Sequence, residues 1–248
     1  QTSGNTDDGG WGPINLGFSF NFFGTNYTSV NIGTNGVLQF GAYNSSGAGG
    51  LGDYTIGALP NTADPRPAIF LASHDLTVGN TNGNLRYWTE GSAPNRRFIL
   101  DFNATSLSSS TALVQFQVIL AETTGQIEVV AKNVTATAAK TIGVNGPTGL
   151  IGAAAPNCTT NAANYWNAQT ATITTPTAWK FIPPVNYAFN WTVNGTANPA
   201  TDQLNGTSYT TTSITQTPTA STAYQVYIQD PITNCSSVFQ TPVTVIAS

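Results

Sequence analysis

The chain has no methionine and very little charge. Of 248 residues, 7 are Lys or Arg, 11 are Asp or Glu, 1 is His and 2 are Cys. Charged residues make up 7% of the chain, against about 25% in an ordinary soluble protein. Seven cations cannot form the basic stripe that a nucleic-acid partner requires, and a net charge of −4 opposes docking on an anionic membrane. No apolar run reaches the roughly 18 residues of a spanning helix, so membrane insertion is not expected. One histidine and two separated cysteines are too few for a zinc centre. With Gln1 where an initiator would stand, the expectation is a mature, exported chain whose leader has been removed.

Strand patterning fills the space that charge and helix signals leave. Ile14, Leu16, Phe18, Phe20 and Phe22 alternate with Asn15, Gly17, Ser19 and Asn21, a period of two that buries one face. A second short strand is expected around Val30 and Ile32, and Asn35-Gly36 turns the chain into Val37-Leu38-Gln39-Phe40. Ala68 to Ala72 is continuously apolar. Phe98, Leu100 and Phe102 alternate, as do Val114, Phe116, Val118 and Leu120, and Thr124-Gly125 then turns into Ile127 to Val130. Further strands are expected at Ile142–Val144, Leu150–Ile151, Tyr165 to Ile173 and Trp179 to Ile182. Many short strands joined by Gly and Asn turns predict an all-β protein, with a large jelly-roll-like β-sandwich over residues 1–183.

Pro183-Pro184 marks a joint. Beyond it, Tyr187, Phe189, Trp191 and Val193, then Tyr224, Val226 and Ile228, alternate again, predicting a small Ig-like sandwich over 184–248. In an oxidising compartment Cys158 and Cys235 are either a disulfide or two buried thiols. Asn-x-Ser/Thr acceptor sequences stand at Asn26, Asn44, Asn103, Asn133, Asn194 and Asn205, and also at Asn157, Asn190 and Asn234. In a chain so rich in Asn and Thr they are compatible with surface glycosylation without requiring it.

The block from Pro13 through Phe40, followed by Ala68-Ile-Phe-Leu, resembles the opening of a secreted β-module with a nidogen-type start. Such modules recur in large surface proteins of Bacteroidetes and related bacteria. Arg96-Arg-Phe-Ile-Leu-Asp-Phe, Val114-Gln-Phe-Gln-Val and Thr124-Gly-Gln-Ile-Glu-Val continue the resemblance, which covers about residues 7–155. The tail, through Phe189-Asn-Trp191 and Thr222-Ala-Tyr-Gln-Val, is similar to the Ig-like or PKD-like repeats that accompany these modules. The resemblance implies an exported, non-catalytic surface or matrix component.

Residue chemistry leads the same way. Ser73-His74-Asp75 are consecutive, so their side chains alternate in direction and cannot form a triad, and no Gly-x-Ser-x-Gly elbow exists. Glu122 and Glu128 flank a hairpin, as ordinary surface charges do. Asp7, Asp8, Asp53, Asp64 and Asp75 lie in loops and are the hard oxygen ligands that Ca²⁺ would use; no other cofactor is implied. Trp11, Tyr43, Tyr54, Tyr87, Trp88, Tyr165 and Trp166 lie in or near turns, and Trp88 and Trp166 are candidate platforms for a sugar. The expected function is an extracellular structural protein: a subunit of a surface filament or sheath, or an adhesin segment. Its expected partners are copies of itself, joined through strand edges and an N-terminal arm of residues 1–13. A carbohydrate-binding module of an adhesin or secreted enzyme is the alternative.

Overall fold

The computed structural model describes residues 6–42, 49–156 and 165–183, and beyond them the strands at 188–193, 222–229, 236–238 and 243–245. The chain divides into two compact units, Gln1–Pro183 and Pro184–Ser248. Among the described residues there is no helix, and therefore none long and apolar enough to cross a membrane.

The first unit is a sandwich of two antiparallel sheets. The chain first lays down β1 (Gly10–Phe22), β2 (Thr25–Gly33), β3 (Val37–Phe40) and β4 (Ala68–Ser73) as neighbours in the first sheet. It then builds the second sheet from β5 (Leu76–Thr77), β6 (Asn84–Glu90), β7 (Arg97–Ser106), β8 (Ser109–Ala121) and β9 (Ile127–Val134). It returns to the first sheet with β10 (Thr141–Asn145) beside β4, followed by the edge strand β11 (Gly152–Ala154), and ends on the second with β12 (Thr177–Phe181) beside β9. The layers are those of a jelly-roll-like sandwich, and the path through them is two successive meanders. The second unit holds β13 (Ala188–Val193), β14 (Thr222–Gln229), β15 (Ser236–Val238) and β16 (Val243–Val245) in one antiparallel sheet.

The core follows the period-two alternation. Leu16, Phe18, Phe20 and Phe22 of β1 meet Phe98, Leu100 and Phe102 of β7 and Val114, Phe116, Val118 and Leu120 of β8 in one buried cluster. Phe22 stacks on Phe40 with centroids 4.4 Å apart. The run in β4 is apolar at every position because both faces are covered. Ile69 and Leu71 face the main core, whereas Ala68 and Phe70 join Val37, Leu51 and Leu59 in a second cluster on the outside of the first sheet. That cluster lies under a strap formed by residues 49–67. The strap is tied down by Thr141 Oγ1 donating to Gly57 O (2.8 Å) and Asn145 Nδ2 donating to Asn61 O (2.8 Å). It passes so close to Gly33 that a Cβ there would lie 2.4 Å from Leu51 O, so only glycine fits.

Three expectations change. Residues 10–13 are not an arm: they open β1, with Gly10 opposite Gly33 and Trp11 opposite Ile32. Leu150 and Ile151 form the exposed turn before β11 rather than a strand. Between 165 and 173 there are only isolated bridges, at Tyr165, Gln169 and Ile173.

Candidate functional site

The two sheets come together along β1 and β6, an edge strand of each. They are fastened at one end. Thr89 Oγ1 of β6 donates to Leu16 O (2.8 Å), and Arg96 donates to Gly17 O. Gly17 takes a φ of +82° in an irregular stretch of β1, a conformation open to glycine at no steric cost. Arg96 is itself held by Glu122 through Nε (2.9 Å) and Nη2. That bond holds the Glu122 carboxyl below the usual carboxylate range.

Toward the start of β1 the two edges part and leave a cleft of about 510 Å³. Trp11, Pro13 and Ile14 contribute from β1, and Val78, Asn84, Leu85 and Tyr87 from the β5–β6 side, with Thr6 at the rim. Alternation along β6 turns Leu85, Tyr87 and Thr89 inward and Arg86, Trp88 and Glu90 to the outer face. No residue lining the cleft is charged.

Beside the cleft the N-terminal segment is pinned to its own fold. Val78 N and Thr77 Oγ1 donate to Thr6 O, and Thr34 Oγ1 donates to Asp7 O. Asn35 Nδ2 donates to Asp8 Oδ1 (3.0 Å). These bonds bring carboxylate oxygens of Asp7, Asp8 and Asp75 within 4.8 Å of one another. Burial and the neighbouring carboxylates push Asp7 and Asp75 above the usual range. Of the five aspartates proposed as Ca²⁺ ligands, three therefore converge, about half of the six to eight oxygens that the ion takes. Asp53 and Asp64 are elsewhere, buried in the strap: Asp53 accepts from Gly49 N (2.7 Å) and Thr55 N (2.9 Å), and Asp64 from Gly57 N (3.0 Å). Burial pushes Asp64 up.

The structure scatters the other expected residues. Trp166 is 1% exposed and sits edge to face with Trp179, 6.4 Å between centroids. It is core, and its position near a predicted turn hid that. Trp88 is exposed on the outer face of the second sheet, away from the cleft, with Nε1 donating to Glu90 Oε2 (3.2 Å). His74 is buried; its Nδ1 lies 2.8 Å from Ala72 O, and burial holds its pKa below the ordinary histidine value. Glu122 and Glu128 are bound to different cations, Arg96 and Lys180. Asn26 is exposed, while Asn103 and Asn133 are half-buried in β7 and β9. Asn44, Asn194, Asn205, Cys158 and Cys235 lie outside the described residues.

Two features escaped sequence reasoning. Trp11 and Tyr87 are 76 positions apart in the chain, and only the meeting of two sheet edges makes them walls of one cleft. Lys140 is fully buried, with Nζ donating to Ala138 O and Ala171 O (both 2.9 Å) and toward Gln169 O (3.4 Å). Burial lowers its pKa to about 8. A lone lysine between Ala139 and Thr141 carries no sequence signal of such a site.

A family model described as NIDO related matches residues 1–193. No curated protein and no solved structure matches the chain.

Proposed function

Because the chain belongs to the NIDO-related family, we propose that it is an extracellular, non-catalytic structural module that assembles with copies of itself through strand edges. On this reading it is a surface filament or sheath subunit, or an adhesin segment, of the Bacteroidetes type, and residues 184–248 are an Ig-like or PKD-like repeat. The observation that carries the reading is the end of the first sheet at β11. That edge strand has Leu150 and Ile151 beside it, 73% and 51% exposed. No charged residue occurs from Thr141 to Pro156. Natural sheets guard exposed edges with lysine, proline or bulges, and a neutral, apolar-flanked edge invites strand addition. Three other edge strands of the first unit are guarded: β1 carries Pro13 and is fastened to Thr89 and Arg96, β6 carries Arg86 and Glu90, and β12 carries Lys180. The scarcity of charge also leaves little repulsion between stacked copies.

Electron microscopy and light scattering of the full chain test this. Ordered polymers are expected, and the pair Ile151→Lys with Ala153→Lys should leave folded monomers. A wild-type chain that stays monomeric at high concentration, or polymers of normal length from the double variant, would overturn the reading.

A further inference from the structure

We propose that the cleft between β1 and β6 is a binding site for a neutral saccharide, with Trp11 and Tyr87 as its stacking surfaces. This does not rest on self-assembly, which uses the opposite edge of the first sheet. The cleft holds about 510 Å³, within the range of small-ligand sites and large enough for one or two sugar rings. Its lining has no charged side chain, so it offers nothing to offset the desolvation of an ionic ligand. Trp11 is half-buried and Tyr87 is 52% exposed. They present aromatic faces of the kind that the C–H face of a pyranose ring covers well.

The rim supplies the polar half of such a ligand. Among the described residues, Trp11 Nε1, the Tyr87 hydroxyl and the Asn84 side-chain amide make no hydrogen bond, and the exposed Thr6 hydroxyl stands beside them. An indole donor, an amide and two hydroxyls around an aromatic floor match a ring that is apolar on its faces and hydroxylated at its edge. An apolar peptide would leave those groups unpaired. Tyr87 is braced from behind by Phe98, 6.1 Å between centroids, and Trp11 stands in paired β-strand opposite Ile32. Both platforms are therefore mounted on strands rather than loops, as a preformed site requires.

The test is calorimetric titration of the full chain with neutral hexasaccharides (cellohexaose, chitohexaose, xylohexaose and mannohexaose), with heparin and an apolar decapeptide alongside. At least one neutral hexasaccharide should bind at or below about 1 mM, the weak end of measurable affinity. Trp11→Ala and Tyr87→Ala should each weaken binding at least about tenfold, and Trp88→Ala, on the outer face, should leave it unchanged. Tyr87→Leu keeps the packing volume without the aromatic face and should also bind weakly; near-ultraviolet circular dichroism establishes that each variant is folded. No binding by any neutral probe, binding confined to heparin or the peptide, or binding that survives both Trp11→Ala and Tyr87→Ala would overturn the proposal.

Discussion

The outer faces of the two sheets solve the same problem in opposite ways. Outside the first sheet, Val37, Ala68 and Phe70 are buried against Leu51 and Leu59 of the strap, and the carboxylates Asp53 and Asp64 are buried with them, leaving Arg66 as the exposed charge of the strap. At the end of the same sheet His74 and Lys140 are buried as well. Outside the second sheet, the charges stand in solvent and pair across strands: Glu90 with Arg97, Asp101 with Lys132 and Glu128 with Lys180. The charges are few in either case. Their placement means that the first sheet gains stability from apolar burial, while the second gains solubility and little stability.

The comparison is broken most directly by deleting side chains from each face. Phe70→Ala removes a side chain with no exposed surface and should cost about 3–5 kcal/mol in urea unfolding. Ile119→Ala, half-buried on the outer face of β8, should cost about 1 kcal/mol. Equal losses would mean that the strap adds nothing. Next in size is Asp53→Ala. It removes the buried acceptor shared by Gly49 N, Thr55 N and the Thr55 hydroxyl. The expected loss is about 1–3 kcal/mol, with faster proteolysis within residues 49–67 as a second readout.

A pH series sharpens the comparison without deleting a contact. The folded value of Lys140 is about 8, below the ordinary 10.5. Between those limits the unfolded chain holds the proton more tightly than the folded chain does. Stability contributed by this group is therefore flat below pH 8 and rises as pH climbs from 8 to 10.5. Lys140→Met should flatten that rise relative to wild type; an unchanged slope would mean that the ammonium is not desolvated. The smallest effect belongs to the second sheet. Lys180→Ala breaks an exposed pair with Glu128 and should change stability by no more than about 0.5 kcal/mol. A larger loss would show that this face is not the solvated one.

Much of the sandwich was legible because its signal is local. The alternation from Ile14 to Phe22 and the hairpin at Thr124-Gly125 need only neighbours in sequence to be read, and each appears in place. β2 is nine residues long where only Val30 and Ile32 stood out, because Thr25 to Ser29 is polar and half-exposed near the edge of its sheet. The strap was not legible, since nothing in Leu51, Ile56 and Leu59 specifies which face they cover. Among the aromatics the sequence does not separate Trp11 and Tyr87, which share a cleft, from Trp166, which is core. A tryptophan near a turn can point either way, and long-range packing selects the direction.

By itself, the sequence determined the all-β class, the two apolar faces that form the main core and the rarity of charge, because period-two alternation and composition are properties of the chain alone. Only the tertiary structure decided where the few ionisable groups went, which sheet edge stayed open and which aromatics share a cleft. Those depend on residues far apart in the chain meeting across the sheets, as Leu16 meets Thr89 and Lys140 meets Ala171, and no local pattern encodes such a meeting.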